Sequence, residues 1–169
     1  LKKADHIICT SQQTLDHLRK DYNVKKESSV VYQHSSWQEP NIGKPLLDSS
    51  YYIYVSSFEQ RKNHQTLIEA FNLIKNKTDK KLLLVGRLRE SYNSIRAAVE
   101  KYGLTERVLL KTEAKMSEIQ NYLKYASGFI YPSLIEGFGI PLIEAMHFSL
   151  PIAASNIPVF YEKNVELQN

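Results

Sequence analysis

Tyr51-Tyr52-Ile53-Tyr54-Val55, then Leu67, Ala70, Phe71 and Ile74, then Leu82-Leu83-Leu84-Val85: on these three groups the fold turns. The first is an unbroken run of aromatic and β-branched side chains, which reads as a strand buried on both faces. The four residues of the second fall at i, i+3, i+4 and i+7 and mark one face of a helix. The third is again a continuous apolar run. Strand, helix, strand in this order is the signature of a parallel βαβ unit.

The alternation continues outward from this stretch. Ile95, Ala98, Val99 and Tyr102 repeat the helical spacing, and Gly103 follows as a C-terminal stop. Val108-Leu109-Leu110 reads as a third strand. Ser117-Glu118-Ile119-Gln120 has the form of a capping box, with Ile119, Tyr122, Leu123 and Ala126 as the apolar face behind it. Phe129-Ile130-Tyr131 reads as a fourth strand and Pro151-Ile152-Ala153-Ala154 as a fifth. A helix starts near Pro141 between them. Five strands alternating with four helices predict an α/β fold, a doubly wound parallel sheet of Rossmann-like type.

Towards the N-terminus the pattern changes. Ile7-Ile8-Cys9 reads as a short strand, Ser11 as the cap of a helix carrying Leu15 and Leu18, and Val30-Val31-Tyr32 as another short strand. The segment from Gln38 to Pro45 holds two prolines and a glycine and looks like a linker. A boundary is therefore placed near residue 48.

Composition narrows the function classes. The chain has 169 residues, 43% hydrophobic and 24% charged, with a net charge of +4. That is an ordinary globular composition with room for one sizeable core. The positive charge suits a mildly basic enzyme surface, and would also suit anionic ligands or peripheral contact with an anionic membrane face. Lysines and arginines do not bunch in long runs, which gives little support to nucleic-acid binding. No apolar stretch is long enough to span a bilayer, and the opening residues do not have the form of a signal peptide. The single cysteine, Cys9, allows no internal disulfide and fits a reducing compartment. Asn76-Lys77-Thr78, a glycosylation sequon by letter, is read as chance in a cytoplasmic chain.

In open parallel sheets ligands bind beyond the carboxyl ends of the strands. That rule selects five loops, 56–63, 86–90, 111–116, 132–140 and 155–158, and the unusual residues fall into two of them. Ser56-Ser57-Phe58-Glu59-Gln60-Arg61-Lys62-Asn63 ends in two cations directly before a helix, where the helix already presents partial positive charge. A diphosphate would give Arg61 and Lys62 a reason to be there. On spacing alone, two solvated surface cations account for the pair better.

The second loop runs from Pro132 to Ile140 and feeds the helix carrying Glu144. Gly137 and Gly139 permit a tight backbone path with close approach to a ligand. Glu136 and Glu144 are acceptors, suited to sugar or ribose hydroxyls. Site and spacing suggest a nucleotide-sugar, and a plain glycine turn with a surface glutamate fits them equally. The Gly-x-Gly-x-x-Gly, P-loop and Asp-x-Asp patterns are absent, and the five histidines show no metal spacing. No metal and no cofactor are expected.

Glu136-Gly137-Phe138-Gly139-Ile140-Pro141-Leu142-Ile143-Glu144-Ala145-Met146 resembles the E-G-F-G-x-P-x-x-E-A-M signature of glycosyltransferase family four, which has the GT-B fold. Arg61-Lys62-Asn63 with Leu67-Ile68-Glu69-Ala70-Phe71 is similar to the family's R-K-N-x-x-x-L-I-x-A-F form, and Leu84-Val85-Gly86 and Tyr131-Pro132-Ser133 also fit. Ala4-Asp5-His6-Ile7-Ile8-Cys9-Thr10-Ser11 resembles the last strand-helix junction of its N-terminal domain. The resemblance implies that residues 1–47 are the tail of an acceptor-binding domain with its linker. Residues 48–169 would be a nucleotide-sugar-binding domain, incomplete at its C-terminus.

It also implies roles. Lys62 with Arg61 would bind the donor diphosphate. Glu136, with the backbone of Phe138 and Gly139, would hold the transferred sugar, and Gly137 would shape the turn. Backbone N–H groups near Ile140 and Leu142 would face the distal phosphate, Glu144 the ribose, and the backbone of Lys111 and Thr112 the base. The family is retaining and needs no metal in the site. A hexosyltransferase acting on a glycan or lipid-linked acceptor is implied, at the inner face of the membrane, with the isolated chain inactive for want of its acceptor domain. The alternatives are a GT-B sugar-nucleotide epimerase and a non-catalytic relative that binds nucleotide-sugars. The chain departs from the family at Ser56-Ser57, where Gly-Arg is common, at Phe148-Ser149-Leu150-Pro151 and at Gln33-His34.

Overall fold

A computed structural model of the chain describes residues 3–34 and 42–166. They form two compact bodies. The larger comprises residues 37–134 and 141–155, the smaller residues 1–36, 135–140 and 156–169.

The larger body is built on a five-stranded sheet: β3 (Tyr51–Val55), β4 (Lys81–Gly86), β5 (Val108–Thr112), β6 (Gly128–Tyr131) and β7 (Ile152–Ala154). In the smaller body, β1 (Ile7–Cys9) and β2 (Ser28–Val30) pair with each other. Every neighbouring pair in the larger sheet is parallel, and the order is β5-β4-β3-β6-β7. Helices α2 (His64–Ile74), α3 (Tyr92–Lys101), α4 (Met116–Lys124) and α5 (Ile140–His147) make the crossovers; α1 (Gln12–Tyr22) and α6 (Pro158–Glu166) belong to the smaller body. All five strands and four helices of the predicted alternation are present.

Burial follows from the order. Ile53, Tyr54, Leu82, Leu83 and Leu84 are wholly enclosed, because β3 and β4 have neighbours on both sides and cover on both faces. The edge strand β7, Ile152 followed by two alanines, is exposed throughout. From the centre, the chain winds first to β4 and β5 on one side and then jumps to β6 and β7 on the other. The reversal lies between β3 and β6, so the loops after those two strands flank the switch point.

Some local expectations shift. β2 covers Ser28–Val30 rather than Val30–Tyr32, because the three residues of β1 can pair only three partners, Ile7 with Ser28 through Cys9 with Val30. The N-cap of α4 is Lys115, not Ser117. Glu118 does reach back as the capping box requires, and its carboxylate accepts the Lys115 N–H at 2.8 Å. Of the two loop glycines only Gly139, at φ +84°, takes the left-handed path; Gly137 does not. The loop expected after β7 gives way at Pro158 to α6, whose first residue is a proline.

Ser11 caps α1 as expected, accepting from the Thr14 N–H at 3.1 Å. Its own hydroxyl donates to the Gly137 carbonyl at 2.8 Å. Glu162 of α6 places both carboxylate oxygens on α1's free N-terminal amides, accepting from Gln12 N and Gln13 N at 2.8 Å each.

Candidate functional site

In the larger body the two switch-point loops are stitched together by buried polar groups. The Tyr54 hydroxyl, at the end of β3, donates to the Lys62 carbonyl at 2.9 Å. With its proton spent there, the Tyr54 oxygen accepts from the Ser133 hydroxyl, 2.8 Å away in the loop after β6. Asn63 Nδ2 donates to the Pro132 carbonyl at 3.2 Å, and Leu134 N to the Arg61 carbonyl at 2.9 Å. Asn63 itself has φ +58°, which turns the chain from the short 3-10 segment Gln60–Lys62 into α2.

This turn holds both predicted cations. Lys62 is only 7% exposed, an unusual state for a lysine, and Arg61 is exposed. Arg61 Nε donates to Glu59 Oε2 at 2.8 Å, while the Ser57 hydroxyl donates to Glu59 Oε1 at 2.6 Å. The Ser57 bond holds the Glu59 carboxyl below the usual carboxylate range against the opposing effect of burial, with the Arg61 charge and hydrogen bond and the Lys62 charge adding to it. Ser57, where the family commonly has arginine, thus serves the carboxylate that fixes Arg61.

His64 opens α2 between the rings of Tyr54 and Phe58, with centroids 4.9 and 5.1 Å away. Its Nε2 lies 3.1 Å from Ser56 Oγ. Burial, helped by the Lys62 charge, pushes its pKa down to about 4, so it is a neutral packing residue near neutral pH. Sequence reasoning gave His64 no role.

Glu144, on α5, is 9% exposed, and no hydrogen bond or ion pair reaches its carboxylate among the described residues. Burial alone raises its pKa to about 7. A buried acid held without a partner is the kind of group that marks a ligand site. Leu142, on the same helix, is also buried.

Glu136, Gly137, Phe138, Gly139 and Ile140 belong to the smaller body. Glu136 is half-buried. Phe138 is buried, with the Tyr32 ring 6.2 Å away. The predicted site residues thus divide in the middle of the motif. Arg61, Lys62, Lys111, Thr112, Leu142 and Glu144 lie in one body, and the glycine turn lies in the other.

Beyond β4 and β5 the larger body has a cavity of about 560 Å³, lined among others by Arg87, Leu88, Arg89, Glu113 and Met116. Lys111 and Thr112 stand within β5, paired with Val85 and Gly86, and the cavity begins one residue later, at Glu113. Among the described residues no group of three or more His, Cys, Asp or Glu could hold a metal ion, and no helix is long and apolar enough to cross a membrane.

An open parallel sheet with its switch-point loops locked around a buried lysine is a Rossmann-like domain of the GT-B kind. The chain belongs to the family of glycosyl transferases group 1, whose model matches residues 35–169. It is 32% identical over 167 residues to the O-antigen chain mannosyltransferase RfbU of Salmonella typhimurium, covering 96% of this chain and 45% of that one. It is 28% identical over 168 residues to the human GDP-Man:Man(3)GlcNAc(2)-PP-Dol alpha-1,2-mannosyltransferase, covering 90% of this chain and 34% of that one. Among solved structures it is similar to the sucrose-phosphate synthase of Thermosynechococcus elongatus, with a TM-score of 0.78 and 27% identity over 93% of this chain and 42% of that one. The chain therefore spans less than half the length of the curated relatives it matches.

Proposed function

We propose that the chain binds a nucleoside-diphosphate sugar as the donor-binding part of a retaining glycosyltransferase of family four. In this reading residues 48–169 are the donor domain and residues 1–47 the tail of an acceptor domain. The transferred unit is a hexose, with mannose favoured by the names of the relatives, and the acceptor is a growing glycan or lipid-linked sugar on the cytoplasmic side of a membrane. The observation that carries the reading is the stitched turn that holds Lys62 buried at the switch point. An enclosed lysine with Arg61 beside it, beyond the end of β3 and before a helix, is placed to give a diphosphate strong charge-assisted hydrogen bonds.

The remaining roles follow from position and chemistry. Arg61, steadied by Glu59, gives a planar fork for phosphate oxygens. Glu144 is the acceptor for the ribose hydroxyls; two donors on its carboxylate would offset the desolvation that raises its pKa. Glu136, with the backbone of Gly137, Phe138 and Gly139, holds the sugar, and the N–H groups of Ile140 and Leu142 face the distal phosphate. Stabilising the cationic, oxocarbenium-like centre at the transferred carbon matters most in the transition state, so Glu136 contributes more to turnover than to binding.

Two calorimetric titrations of each variant test the division of labour, one with the bare diphosphate and one with the intact donor. Glu144→Gln is expected to weaken both, on the order of 1–3 kcal/mol, and Glu136→Gln mainly the intact donor. Equal weakening of the bare diphosphate by the two variants overturns the assignment.

A further inference from the structure

The cavity beyond β4 and β5 combines three features. Leu88 and Met116 line it with apolar side chains that are 44% and 55% exposed. Such surface is stabilised when a flat ring covers it. Glu113 lines it with a carboxylate that no hydrogen bond or ion pair reaches among the described residues. Arg87 and Arg89 add guanidinium forks. Glu113 also sits at φ +58°, a left-handed conformation that costs a non-glycine residue about 1 kcal/mol or more. Glycine or asparagine would take this turn more easily, so a glutamate held there calls for a use of its side chain.

We infer that this cavity selects a guanine base and that Glu113 is the residue that reads it, an inference resting on the nucleotide-sugar reading above. A carboxylate is an acceptor with two oxygens side by side. Guanine presents two parallel donors on one edge, N1–H and the exocyclic N2–H, and matches it in a bidentate pair. Uracil offers a single N3–H between two carbonyls, one of which would face the second carboxylate oxygen. Adenine offers its N6 amine beside N1, itself an acceptor. The O6 and N7 acceptors of guanine on the opposite edge suit an arginine fork, the same pairing that proteins use for guanine in nucleic acids. Leu88 and Met116 would cover the ring faces of any base and so add affinity without choice.

The test is calorimetry of the whole chain with GDP, IDP, UDP and ADP. IDP is guanine's close mimic without the N2 amine. GDP is expected to bind about tenfold more tightly than UDP or ADP and several-fold more tightly than IDP, as loss of one charge-assisted hydrogen bond predicts. In Glu113→Gln the GDP advantage over IDP should shrink to within about twofold, with UDP binding unchanged. Equal affinity for all four nucleotides, or a preference for UDP or ADP, overturns the inference and leaves nucleotide binding standing. No binding of any of them overturns both. If the variant fails to fold, the comparison of GDP with IDP on the unaltered chain decides alone.

Discussion

The sheet of the larger body ends in two regions of opposite build. At the switch point, the loops after β3 and β6 are tied by the Tyr54 hydroxyl, Ser133, Asn63 and the amide of Leu134, around a lysine that is almost fully enclosed. On the adjacent strands, the loops after β4 and β5 leave an open cavity with exposed Leu88 and Met116 and a carboxylate that no hydrogen bond or ion pair reaches among the described residues. Under the proposed function the contrast would separate two tasks on a single scaffold. The part that every donor shares, the diphosphate, would be met by fixed charge on a rigid turn. The part that differs between donors, the base, would be met by side chains on a cavity wall, where a change leaves the sheet intact.

The two regions are joined through the ends of β3 and β4 and their loops, and breaking the closest backbone approach there should have the largest effect. A Cβ on Gly86 would lie 1.7 Å from the Ser56 carbonyl oxygen and 2.5 Å from its carbon. Neither atom can move without parting the ends of β3 and β4. Gly86→Ala is expected to cost about 4 kcal/mol or more, read as a lowered urea midpoint, and to weaken diphosphate and base binding together. An unchanged midpoint would mean that the strand ends are not in this contact.

Lys62→Ala should separate the regions. It is expected to weaken every nucleoside diphosphate about tenfold while leaving the ratio of GDP to UDP affinity where it was. Lys101→Ala, late on α3, is the control and should leave both the affinities and their ratio unchanged. If the two lysine variants lose affinity equally, only overall charge matters and the rigid turn has no special role.

A further effect lies in pH. Glu144 has a folded-state pKa raised from 4.5 to about 7, so the stability it contributes is whole below about pH 4.5 and lost as pH rises to about 7. His64, lowered from 6.5 to about 4, runs the other way: its contribution is whole above about pH 6.5 and lost as pH falls towards 4. In the unaltered chain the two slopes oppose each other. Glu144→Gln removes one of them. The variant should match its parent below pH 4.5 and exceed it above pH 7, by at most about 3 kcal/mol. Between those limits it should show the acid sensitivity that His64 confers. Thermal midpoints across this range would show it, and parallel curves for the two proteins would mean that Glu144 titrates as an exposed group.

The strands were legible because burial leaves unbroken apolar runs in the sequence, but the face of α2 was only half legible: the spacing marked Leu67, Ala70, Phe71 and Ile74, whereas the helix buries His64, Leu67, Ile68 and Phe71 and leaves Ala70 and Ile74 exposed. The switch point followed from strand alternation and needed only the observed order to locate it. What was not legible depends on contacts between distant residues. Tyr54 looks like any other core aromatic in its run, and its role lies in a hydroxyl 2.8 Å from Ser133, 79 residues away. Ser57 read as a departure from the family, since only the folded loop shows it donating to Glu59. Glu113 stood in a loop that the carboxyl-end rule had already selected, yet nothing in its neighbours marked it. Its signal is a left-handed backbone, which a sequence does not display at a glutamate. The start of α4 was misplaced because Ser117 is a better cap by type than Lys115, while Glu118 found its partner amide two residues earlier than the serine.

The bond from Glu162 to the start of α1 has a consequence for synthesis. The helix at Gln12–Tyr22 leaves the ribosome well before α6, since the carboxylate that satisfies its first amides lies 150 residues downstream of Gln12. At roughly 5–20 residues per second that is a wait of many seconds. Over that interval β3 to β7, with their local crossovers, are all made and free to pair. The smaller body therefore waits for α6 before it can be completed. An obstacle in translation between β7 and α6 would leave a finished sheet attached to an α1 whose first turn is still open to water.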